Sequence, residues 1–154
     1  MPNPATEGKQ EIIFISENHE KFYYEALKNV RCQDEYHKAL CYCLGISDST
    51  RMHIDTIYDF KTGLVKPECL LQGWQTSTTK KVIRMAFNLY CGGTPSIANY
   101  PDEMEEQLTE CRNYTADELF SCSYAPFFWQ AIQIRYPDYT ACDKEHYSKF
   151  GSPD

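Results

Sequence analysis

Three groups of residues have the types and spacing to do chemistry. The first is Gly73-Trp74-Gln75-Thr76-Ser77-Thr78-Thr79-Lys80, in which four consecutive hydroxyl residues lead into a stretch carrying Lys80, Lys81 and Arg84. Free amides, hydroxyls and cations at a helix start suit a phosphate or a carboxylate. Trp74, Thr76, Ser77, Lys80 and Arg84 are therefore candidate anion- or ligand-binding residues, with the indole available to stack on a ring or anchor a partner. In the plainer alternative, Thr76 or Ser77 caps the helix and Trp74 packs inside.

The second group is acidic. Asp102, Glu103, Glu105, Glu106, Glu110, Asp117 and Glu118 face Arg112 alone, giving a local charge of −6. Asp102, Glu103, Glu105, Glu106 and Glu110 are the candidate partner-binding residues, suited to a basic surface. Upstream, from Cys69 to Pro101, there is no acid at all. The net charge of −7 is thus concentrated in one segment. Such a balance disfavours non-specific nucleic-acid binding, which depends on neutralising phosphates. The expected partner is a protein, plausibly one with a basic nucleic-acid-binding groove.

The third group is the cysteines and histidines. Cys32, His37, Cys41 and Cys43 lie within twelve residues, but on a helix Cys41 and Cys43 point about 200° apart and cannot join one zinc site. Cysteine–histidine catalysis centres on Cys91, which sits at the negative end of a helix dipole, a poor place for a thiolate. His53-Ile54-Asp55, with Asp48 and Asp59 nearby, has the types for a general base with carboxylate support or half of a metal site, and in the plainer reading is a solvated polar face beside a core helix. There is no H-E-x-x-H, G-x-S-x-G, G-x-G-x-x-G or P-loop. No catalytic residue, metal site or cofactor is expected.

The elements that must position these groups are mainly helical. Ser16 caps a helix to about Val30, and Asp34 caps another ending at Gly45, which fits a left-handed position after a helix. Ser47 or Asp48 starts a third, to about Tyr58, although alternation in 52–60 also allows a strand and a short hairpin near 52–66. Pro67 opens a short helix with Leu70 and Leu71. Ser77–Cys91 is the clearest helix, with a wide apolar arc, a narrow strip of Lys80, Lys81, Arg84 and Asn88, and Gly92-Gly93 as its stop. A short helix over Asp102–Leu108, a capping box at Thr115–Glu118 and a last helix from Phe127 to Tyr136 complete the chain.

The whole reads as a mostly α, single helical domain of six or seven helices over 11–140. Residues 1–10 read as a flexible tail, 94–114 as an acidic loop with a short helix, and 141–154 as a polar tail. No apolar run is long enough to cross a membrane, and none resembles an export signal. Eight cysteines without such a signal point to reduced thiols in a cytoplasm.

Asn18-His19-Glu20, Tyr24-Glu25-Ala26-Leu27, Leu44-Gly45-Ile46, Ile57-Tyr58-Asp59-Phe60, Trp74-Gln75-Thr76-Ser77 and Ala86-Phe87-Asn88-Leu89-Tyr90 together carry a resemblance. The chain resembles, over about 16–137, a family of short cytosolic proteins from Gram-positive gut bacteria that is known only as a domain of unknown function. The resemblance implies a largely helical domain, often encoded near mobile-element genes, with no assigned activity or catalytic residues. A structural zinc module is a third and least favoured reading, and two functions stand ahead of it. One is a non-enzymatic interaction protein, such as a mobile-element accessory or anti-CRISPR-like inhibitor. The other is a binder or enzyme acting on a small anion.

Overall fold

The ten residues Glu35–Leu44 decide the architecture. Every residue from Ala39 to Leu44 is buried, including Tyr42, so this helix has no solvent face over its second half. A helix of that kind must be covered on several sides. A computed structural model describes residues 11–98 and 100–141 and shows what covers it. Helices α1 (Glu17–Leu27), α5 (Ser77–Cys91) and α8 (Ala125–Arg135) all pack against α2 (Glu35–Leu44). Between α2 and α5 run α3 (Asp48–Met52), α4 (Ile54–Ile57), a hairpin and a 3-10 turn over Pro67–Leu71. After α5 come α6 (Met104–Arg112), α7 (Ala116–Phe120), α8 and the single turn α9 (Pro137–Thr140).

The mostly α single-domain reading holds, with nine α-helical segments among the described residues rather than six or seven. The extra ones are single turns that periodicity cannot register. The hairpin is also present but shorter than expected: β1 (Tyr58–Asp59) pairs antiparallel with β2 (Leu64–Val65). The helix expected to reach Tyr58 is broken at His53, whose φ of −105° and ψ of 21° lie outside the helical region. Helix α1 ends at Leu27 rather than Val30. The tail assigned to 1–10, and all but the first residue of the one assigned to 141–154, lie outside the described residues.

Gly45 is a correction of another kind. It was expected in a left-handed conformation, yet its φ is −81°. What demands glycine there is space: a Cβ would stand 2.7 Å from His19 Cδ2 and 2.9 Å from Phe22 Cδ1. The close approach of α1 to the end of α2 depends on that missing methyl group. By contrast Gly92, at φ 68°, is the left-handed stop expected after α5.

The segment before α1 is stitched to the core by two polar contacts. Tyr42 donates from its hydroxyl to Ile13 O at 2.7 Å, and Ile13 N–H donates to Gln130 Oε1 at 3.1 Å. His19, fully buried, accepts from Ile15 N–H at Nδ1 and donates from Nε2 to Tyr42 O at 2.7 Å. Burial holds this imidazole neutral, lowering its pKa to about 4 despite the Tyr42 hydrogen bond, with Arg51 adding a smaller push the same way.

Candidate functional site

The block around Trp74 is built first by local hydrogen bonding. Thr76 Oγ1 accepts from Thr79 N–H at 3.1 Å, and Thr79 Oγ1 accepts from Thr76 N–H at 2.8 Å. This reciprocal cap satisfies helix-start groups that an anion would otherwise use. Thr79 also donates to Gln75 Oε1 at 2.6 Å. Trp74 is half-buried, donates from Nε1 to Gln72 Oε1 at 2.6 Å, and lies flat on His53. The two rings are 4.1 Å apart and 4° from parallel. Sequence reasoning treated His53 and Trp74 as separate candidates. No spacing rule links residues on two elements that only folding brings together.

The cations of α5 have partners in the acidic part of the chain. Arg84 donates from Nε to Glu110 Oε1 at 2.6 Å and from Nη2 to Glu110 Oε2 at 3.1 Å. Both side chains are mostly buried, at 14% and 18% exposure. Lys81 Nζ donates to Glu118 O and stands 3.7 Å from its carboxylate. Two candidate sites that the sequence kept apart are therefore joined, and Arg84 and Glu110 spend their charge on each other. Ser77 stays exposed at the helix start, and Lys80 is partly exposed on α5.

The acidic segment is helical beyond Leu108. A 3-10 turn over Pro101–Glu103 leads into α6, which runs to Arg112. Pro101 suits the first position of that turn, and Glu103 reaches back to accept from Tyr100 N–H at 3.2 Å. None of the nine residues of α6 is buried. Helical spacing puts Glu106 and Glu110 of α6 within about 40° of arc. With Glu103 and Glu105 they line a groove of about 540 Å³, whose lining also includes Ile97 and Ala98. Around the helix from them, Tyr100, Met104 and Leu108 follow one another at intervals of four residues. All three are exposed, at 68%, 59% and 57%. Asp102, Glu105 and Glu106 are exposed as well. The apolar row was missed because the charges dominate this stretch, although the spacing of Met104 and Leu108 was there to be read.

The thiols divide by depth. Cys41, Cys43 and Cys69 are buried, and burial pushes each thiol up, to about 12 for Cys41 and Cys69. These three are protonated and serve as small apolar side chains. Among the described residues, no three His, Cys, Asp or Glu side chains stand close enough to share a metal ion. His37 instead pairs with Asp34, Nδ1 to Oδ1 at 2.7 Å. Burial alone would raise the Asp34 carboxyl, but hydrogen bonds from the His37 backbone and ring outweigh it and hold the pKa low. His37 Nε2 lies 3.5 Å from the Tyr90 hydroxyl, which donates to Gly63 O at 2.6 Å. This cluster fastens the hairpin turn to α2 and α5.

A family profile matches residues 9–148, which include all of these groups. The chain belongs to DUF6075, a family of unknown function. No curated protein and no solved structure matches it. Membership in DUF6075 brings no catalytic residue with it, so the functional reading rests on geometry. Among the described residues of this DUF6075 protein, no helix is long and apolar enough to cross a membrane.

Proposed function

We propose that this protein is a non-enzymatic protein-binding module that uses the exposed faces of α6 to hold a basic partner. The observation that carries the proposal is α6 itself, a helix with no buried apolar residue. An ordinary surface helix in a folded domain buries an apolar stripe. Here the apolar residues Met104 and Leu108 point to solvent beside the carboxylates of Glu105 and Glu106. Exposed apolar side chains rimmed by charge of one sign are a common form of protein interaction surface.

The partner chemistry follows from the charges. Glu103, Glu105 and Glu106 line the groove and Asp102 is exposed just before them in the chain, so lysine and arginine side chains are the complementary groups. A basic groove made for nucleic acid has the matching sign. The finer proposal is therefore a mobile-element accessory that occupies such a groove, as anti-CRISPR-type inhibitors do. The competing use of Trp74, Thr76, Ser77, Lys80 and Arg84 for a small anion is less favoured. Thr76 is taken up in the cap, Arg84 by Glu110, and Trp74 by His53.

The test is capture from native-host lysate by the immobilised protein, read by mass spectrometry. A protein with a basic surface should be retained by the wild type. Replacing Asp102, Glu103, Glu105 and Glu106 together by Asn or Gln should release it, and raised salt should weaken it. The same partner captured equally by that variant would overturn the proposal.

A further inference from the structure

A second cleft beside α6 carries a different chemistry. Cys91, the last residue of α5, and Cys111, near the end of α6, are both exposed and line the same cleft of about 410 Å³. Gly93, Thr94, Pro95 and Gln107 complete much of its wall. Gln107 and Cys111 are one helical turn apart, so α6 turns a consistent face to this cleft.

We infer that Cys91 and Cys111 form a redox-responsive dithiol, which closes to a disulfide by exchange with a low-molecular-weight disulfide. Three observations place the two residues near one another. Thr94 Oγ1 lies 3.1 Å from Cys111 Sγ, and Thr94 is only three residues beyond Cys91. Even fully extended, that link spans roughly 10–11 Å between Cα atoms. It is not extended: Gly92 is left-handed, and Asn88 Nδ2 donates to Gly93 O at 2.8 Å, folding the chain back on the end of α5. Gly92 and Gly93 have open space where a Cβ would be, which leaves the turn room to adjust as the bond forms. The remaining described cysteines differ: Cys41, Cys43 and Cys69 are buried, while Cys32 and Cys122 are absent from the lining of this cleft.

The roles of the two sulfurs follow from their surroundings. The Thr94 hydroxyl can donate a hydrogen bond to a thiolate at Cys111, which makes Cys111 the attacking sulfur. Its thiolate attacks one sulfur of the small disulfide, forming a mixed disulfide and expelling one small thiolate. The Cys91 thiol then passes its proton to the first expelled thiolate and attacks the Cys111 sulfur, expelling the second small thiolate, which takes a proton from water. Two protein thiols are oxidised and one small disulfide is reduced to two thiols. The product ties the end of α6 to the end of α5.

The inference does not depend on the binding role of α6. Its test is incubation of the full chain under native conditions with oxidised glutathione, followed by alkylation and peptide mapping. The expected result is loss of two alkylation sites per chain and a peptide linking Cys91 to Cys111. C91S should stop at a glutathione adduct on Cys111, and C111S should leave Cys91 alkylatable. Separate adducts on both cysteines in the wild type, no reaction at either, or a bond from Cys111 to another cysteine would overturn it. Unchanged circular dichroism of C91S and C111S checks that both variants are folded.

Discussion

Arg84 on α5 and Glu110 on α6 meet through two parallel hydrogen bonds, at 2.6 and 3.1 Å, in a site that is mostly closed to water. The bidentate pairing fixes where α6 sits. It also removes one basic and one acidic residue from the surfaces that could attract a ligand. Asn113 Nδ2 adds a third donor to Glu110 Oε2 at 3.3 Å.

Removing either partner of this pair leaves the other charge poorly solvated. Arg84→Ala and Glu110→Gln should each cost about 2 kcal/mol, in the range for hydrogen bonds to charged groups. The double variant should cost much less than the sum, because the stranded charge disappears. Urea unfolding of the four proteins gives the coupling energy, and strict additivity would show that the pair does not hold α6.

The buried imidazole makes stability depend on pH. His19 has a folded-state pKa lowered from 6.5 to about 4, so the unfolded chain binds more protons between those values. Its contribution is complete above pH 6.5 and is lost as the pH falls towards 4, by about 2–3 kcal/mol. His19→Gln keeps a donor and an acceptor but cannot titrate. It should be less stable than wild type at pH 7 and show a shallower fall in Tm from pH 6.5 to 4. Parallel curves would mean that other groups set the acid sensitivity.

Gly45→Ala tests a contact rather than a conformation. The backbone there is ordinary for alanine, so alanine's better helix propensity would stabilise if space allowed. The clash with His19 and Phe22 should instead cost about 1–3 kcal/mol. A neutral or raised Tm would show that α1 can move away from the end of α2 freely.

Met104 and Leu108 should contribute to binding and not to folding. Changing both to Ser should alter unfolding free energy by less than about 0.5 kcal/mol, as for surface sites without special contacts. The same change should weaken capture of the basic partner. A large loss of stability would mean that the row is part of the core.

Much was legible in the chain because it depends on near neighbours. The caps at Ser16, Asp34, Thr76 and Thr115 are each formed by a side chain and a backbone N–H three residues on. The apolar arc of α5 and its stop at Gly92 follow from spacing alone, and the acidic segment can be counted directly. The boundaries of α3, α4 and the hairpin were not legible, since segments of two to five residues carry too little periodicity.

By itself, then, the sequence determined the helical class, the main helix starts, the separation of basic and acidic stretches, and the absence of familiar catalytic motifs. The tertiary structure decided which of those charges are free. It paired Arg84 with Glu110 and stacked Trp74 on His53. It placed Cys91 and Cys111 in one cleft and left α6 without a buried apolar side chain. The physical reason is distance along the chain: capping and helix formation act over three or four residues. Ion pairs, ring stacks and shared clefts join residues twenty or more positions apart, and exist only once the core around α2 has closed.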